Sequence, residues 1–224
     1  MKCVLCKQRS GRRYCPGVQG DICALCCGQE REVSINCPFE CSYLQQAHRY
    51  EGERLEPAPE MVHASHDVPR HFVEENERFI AGLAVTLLAR ALEVSSGQAS
   101  ATILPPVLDA DLHGALDSLI RTYETLSTGL VYQTLPEGPA PLNLYRELQA
   151  FIAKWRKDES ERTGMPRLRD GDVLRSLVFL RRLAETQDNR RPRGKRFLGY
   201  LRHMFPQVVA RHAPSVIVPS ALVP

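Results

Sequence analysis

Residues 1–41 read MKCVLCKQRSGRRYCPGVQGDICALCCGQEREVSINCPFEC and hold all eight cysteines of the 224-residue chain. The cysteines stand at 3, 6, 15, 23, 26, 27, 37 and 41, in the pattern C-x2-C-x8-C-x7-C-x2-C-C-x9-C-x3-C. Each C-x2-C step can turn two sulfurs onto one ion, and tetrahedral zinc takes four such donors. Eight thiolates suit two closed structural sites, with no position left for water or substrate. A head this short buries little core and needs a metal or disulfides to hold a fold.

Disulfides would require an oxidising compartment. The stretch after Met1 has no apolar leader region, and the longest apolar run, Phe79–Ala89, is bounded by Arg78 and Arg90 and is too short to span a bilayer. The expectation is a cytoplasmic protein with no membrane contact, in which paired cysteines ligate metal. A cross-braced partition uses every cysteine once: Cys3, Cys6, Cys23 and Cys26 for one ion, Cys15, Cys27, Cys37 and Cys41 for the other. Cys26 and Cys27 then face different ions, as neighbouring side chains of an extended segment can. A sequential partition is the rival. The expected cofactors are two Zn2+, with an iron–sulfur cluster as the alternative.

The segments Cys3-Val4-Leu5-Cys6 and Tyr14-Cys15-Pro16 resemble the opening of HIT-type and MYND-type zinc fingers. That resemblance covers residues 1–46. It implies a small two-zinc, cross-braced or treble-clef-like module of the kind that mostly binds proteins. The chain departs from the HIT-type pattern at Val18, where a cysteine is expected, and in lacking its closing histidine and cysteine. Cys26-Cys27-Gly28-Gln29-Glu30-Arg31-Glu32, with Cys37-Pro38 and Cys41-Ser42-Tyr43-Leu44, is also similar to Cys-rich heads of uncharacterised bacterial proteins. No activity follows from that second likeness.

Beyond the head, residues 47–70 carry Pro57, Pro59 and Pro69 and read as a linker. Residues 71–211 read as a bundle of four to five helices. Phe72, Phe79, Ile80, Leu83, Leu87, Leu88, Ala91 and Leu92 recur at helical spacing. A second helix, with Asp109 or Asp111 as N-cap, carries Leu112, Leu116, Leu119, Ile120 and Tyr123. A third holds Leu144, Leu148, Phe151, Ile152 and Trp155. A fourth, capped by Asp170 or Asp172, holds Val173, Leu177, Leu180, Leu183 and Ala184. A short fifth holds Phe197, Leu198, Leu201 and Phe205. Residues 212–224 read as an extended tail. The fold class is mainly α: a small N-terminal two-zinc module followed by the bundle.

The net charge of +3 averages two unlike regions. Residues 71–160 carry a net −5 and residues 181–211 a net +7. Arg182, Arg190, Arg191, Arg193, Lys195, Arg196 and Arg202 can fork onto phosphates or carboxylates, and Phe197, Tyr200, His203 and Phe205 are interleaved among them. The competing reading is a solvated face, or an internal partner for the acidic helices. Arg9, Arg12 and Arg13 sit among the cysteines and can neutralise thiolates. His48 is a spare ligand, and His63, His66 and Asp67 are linker residues with metal-binding side chains. No phosphate loop, GxGxxG, HExxH or GxSxG is present, and no small-molecule substrate is indicated. The expected function is non-enzymatic: a zinc-binding adaptor or regulator with a protein partner. The alternatives are a nucleic-acid-binding regulator using the 181–211 face, and a thiol redox switch that releases zinc.

Overall fold

A computed structural model describes residues 1–52, 61–96, 105–127, 129, 132–165 and 167–212. The chain is mainly helical, with a Cys-rich head followed by a helical bundle. The head opens on two antiparallel strands, β1 (Arg13–Cys15) and β2 (Gly20–Ile22), which pair Arg13 with Ile22 and Cys15 with Gly20. Gly17, between them, has no room for a side chain: a Cβ there would lie 2.6 Å from Ile35 Cγ2. Helix α1 (Ala24–Glu30) follows directly, and α2 (Ser42–Gly52) follows a loop. Six cysteines are buried with Ile22, Ile35 and Leu44 to form the head's own core. Sulfur thus fills much of the space that hydrocarbon fills in a larger domain.

The body comprises α3 (Arg70–Glu75), α4 (Glu77–Ser96), α5 (Asp109–Ser127), α6 (Pro139–Thr163), α7 (Asp170–Gln187), α8 (Arg196–Met204) and α9 (Pro206–His212). The apolar periodicity lands where it should. Leu83, Leu87, Leu112, Leu116, Leu119, Leu144, Leu148 and Leu177 are all buried, and each such side chain stabilises the fold by about 2 kcal/mol. Helix α5 packs on α6 and α7, and α4 lies across α6 and α9. Pro139 starts α6, and Gly164, in the left-handed region at φ 80, ends it by donating to Ser160 O.

Three local features differ from the sequence reading. The helix expected from residue 71 is interrupted at Asn76, whose side-chain amide and backbone N–H both bond Phe72 O. Asp111 closes the start of α5 by accepting the Leu108 N–H, while Asp109 turns away and accepts the N–H groups of Phe197 and Leu198 at the start of α8. The linker is also partly ordered. Residues 47–52 belong to α2, and the 61–69 segment is tied to the bundle. His63 meets Asp117 at 2.9 Å, His66 meets Glu124 at 2.7 Å, and Arg182 donates to the carbonyls of Val62, His63 and His66. Residues 53–60 and the tail 213–224 lie outside the described residues. No helix among the described residues is long and apolar enough to cross a membrane.

Candidate metal centre

The Cys3–Cys6 turn is closed by the Lys7 N–H on Cys3 O at 2.8 Å, with Lys7 itself left-handed at φ 55. The Val4 N–H bonds Asp21 O and pins this turn to the hairpin. The second turn is the start of α1. Cys23 is its N-cap, and its sulfur accepts the Cys26 N–H at 3.4 Å. The sulfurs of Cys3, Cys6, Cys23 and Cys26 all lie within 4.8 Å of one another. Zinc–sulfur bonds of about 2.3 Å in a tetrahedron place sulfurs ~3.8 Å apart, so little movement separates this arrangement from a loaded site.

The electrostatics fit a dication. Burial pushes the Cys3 thiol up, but the N–H groups of Cys6, Cys23 and Leu5 outweigh it and bring it down to about 6. Backbone N–H groups of Arg9 and Gln8 lower Cys6. Cys26 is pushed up to about 12, first by its hydrogen bond to the Cys23 sulfur, then by burial and by the sulfurs of Cys6 and Cys3. Four crowded sulfurs cannot all ionise unaided, and a bound cation would remove that conflict. The Arg9 guanidinium is held in its charged form chiefly by the Cys23 sulfur and also by Cys6 and Cys26, so it supplies part of the compensation.

The other four cysteines gather separately. Cys15, Cys27, Cys37 and Cys41 line one small cavity of about 10 Å³, with Ile22, Ile35 and Leu44 among its walls. Their sulfurs do not reach the mutual spacing of the first four. Burial pushes the Cys37 thiol up, the Glu32 backbone N–H opposes this, and Cys15 and Cys41 are close enough to raise it further. Arg31 Nη2 lies 3.9 Å from the Cys27 sulfur. Cys26 and Cys27 point to different clusters, though not from an extended segment. They are successive residues of α1, where each step turns the side chain by about 100°.

The chain matches no known protein family, no curated protein and no solved structure among those compared.

The basic residues of 181–211 mostly turn inward. Arg182 holds the 61–69 segment. Arg191 donates to Arg31 O at 2.6 Å and meets Glu51 at 3.3 Å. Lys195 Nζ bonds Asn36 Oδ1 at 2.6 Å and Cys37 O at 3.4 Å. Arg196 donates to Gln187, and Arg202 reaches Glu40 while lying over the Phe39 ring. Arg190 and Arg193 are the two exposed side chains of the seven, and Arg193 still donates its backbone N–H to Glu32 O. Tyr200 stacks on Phe197. The charge run is therefore largely the body's half of its junction with the head.

Other sequence candidates found different partners. His48 bonds the Glu32 carboxylate at 2.8 Å. His63 and His66 pair with separate carboxylates, as described above. A further grouping, His113 with Glu185 and Asp188, is close enough to hold a cation. Its charge is already met by Arg181 on Glu185 at 2.9 Å and Arg190 at 3.9 Å. Glu32 went unnoticed in the sequence. Nothing in its local pattern marks it as the fully buried acceptor for His48, Asn189 and Lys195.

Proposed function

We propose that the head is a structural module for two zinc ions and that the protein is a non-enzymatic adaptor or regulator whose head binds a protein partner. One ion belongs to Cys3, Cys6, Cys23 and Cys26, the other to Cys15, Cys27, Cys37 and Cys41. The observation that carries this reading is the convergence of four thiols within 4.8 Å, from two turns far apart in sequence. A closed all-thiolate set crosslinks the chain and leaves no room for substrate. Skipping Cys15 between the first two pairs is what the cross-braced partition requires.

The two turns also favour a binding surface. Their central residues Val4, Leu5 and Leu25 remain exposed, as does Tyr14 on β1. Apolar side chains held in water by rigid, metal-fixed turns are suited to a protein partner. The basic residues of 181–211 are mostly engaged within the chain, which favours this reading over nucleic-acid binding. The test is quantitative affinity isolation from native cells with the full chain and a Val4→Asp/Leu25→Asp variant that retains its zinc. A protein recovered with the wild type and lost with the variant supports the adaptor reading. Equal recovery of every associated protein overturns it.

A further inference from the structure

We infer that the second cysteine set, Cys15, Cys27, Cys37 and Cys41, is a zinc clasp whose occupancy fastens the helical body to the head. This rests on the two-zinc reading above and goes beyond it, because it gives the two ions different tasks.

The argument is one of placement. Three of the four cysteines, Cys27, Cys37 and Cys41, bracket residues 28–40. That stretch supplies most of the head's docking groups, with Glu51 of α2 adding a contact to Arg191. Arg31 O accepts Arg191, the Glu32 carboxylate accepts Asn189 and the Lys195 N–H, Glu32 O accepts the Arg193 N–H, and Asn36 accepts Lys195 Nζ. Phe39 lies beneath Arg202. One of the ligands itself touches the junction, since Cys37 O accepts from Lys195 Nζ.

Glu32 is held at φ 54, a conformation that non-glycine residues rarely adopt. Its shape therefore depends on what holds both ends of the loop. A metal bound by Cys27 and Cys37 would close that loop directly. The first set, on the N-terminal turn of Cys3 and Cys6 and at the start of α1, makes none of these contacts.

Linkage is reciprocal: if the ion favours docking, docking favours the ion by the same factor. The experiment uses the full chain loaded with zinc and titrated to equilibrium with a colorimetric chelator. It compares wild type with Arg191→Ala/Lys195→Ala, which touches the junction from the body side and removes no cysteine. The expected result is two zinc equivalents in both proteins, one of them weakened about tenfold in the variant and the other unchanged. Identical curves, or equal weakening of both equivalents, overturn the clasp and leave the two-zinc reading standing. A wild type with only one equivalent overturns the reading beneath it.

If the double variant does not fold, Lys195→Met keeps the aliphatic stem and removes the bonds to Asn36 and Cys37 O. The same criteria apply to it. A second arm reads docking itself by amide exchange in Cys37→Ser/Cys41→Ser. The Arg193 and Lys195 amides should exchange at least tenfold faster while the α5 and α7 amides stay protected. Unchanged exchange at Arg193 and Lys195 in a chain that has lost one zinc equivalent contradicts the proposal.

Discussion

The carboxylate of Glu32 accepts the backbone N–H of Lys195 at 2.9 Å, across 163 residues of sequence. The same carboxylate takes His48 and Asn189, each at 2.8 Å, and is fully buried. It joins two clusters that otherwise have separate cores: sulfur-rich in the head, leucine-rich in the body.

Glu32→Ala should therefore be costly. It strands the Lys195 N–H in the interior, leaves the Asn189 amide with only its longer bond to Glu51 and removes the partner of His48. The expected loss is about 3 kcal/mol of unfolding free energy, read from urea denaturation of the zinc-loaded chain. A loss below about 1 kcal/mol would show that the carboxylate does not hold the junction.

Asp109 makes a pH prediction. Burial pushes its carboxyl up to about 6, against the N–H groups of Phe197 and Leu198 that favour the charged form. The folded chain thus binds this proton more tightly than the unfolded chain, whose carboxyl titrates near about 3.9. Its contribution is full below about pH 4 and is lost as pH rises through about 6. The wild type should lose stability relative to Asp109→Asn between about pH 4 and pH 6, on the order of 2 kcal/mol. Thiolate protonation is common to both chains and cancels in the comparison. A stability difference that stays constant across this range contradicts the prediction.

Gly82 on α4 is the seat of the Phe151 ring from α6: a Cβ at this position would run into that ring. Phe151 also contacts Phe79 and Trp155, so it has little freedom to withdraw. Gly82→Ala should destabilise the body by about 1–3 kcal/mol despite alanine's better helix propensity. Thermal unfolding of Gly82→Ala and of Gly82→Ala/Phe151→Leu checks this. The double variant should recover part of the loss, and an unchanged midpoint in the single variant would contradict the packing account.

The helices of the body were legible because leucine-rich faces recur at 3.6-residue spacing, as in Leu112, Leu116, Leu119 and Ile120. The first cysteine cluster was legible because C-x2-C spacing is a local signal. Partners across the fold were not. Asp109 stands where an N-cap of its own helix belongs, yet it caps α8. Arg191, Lys195 and Arg202 look like an outward basic face until the 28–51 segment is brought against them. α9 starts at Pro206 as a further short helix, because proline suits a helix's first turn. Charge counts give the amount of basic side chain but not its direction, and a buried acceptor such as Glu32 has no periodicity to reveal it.

The most direct test is elemental analysis of the anaerobically purified full chain, compared with Cys23→Ser and Cys37→Ser. The account predicts two zinc ions per chain and no iron, with one ion lost in each variant. Iron in place of zinc, or fewer than two zinc ions in the wild type, would contradict it.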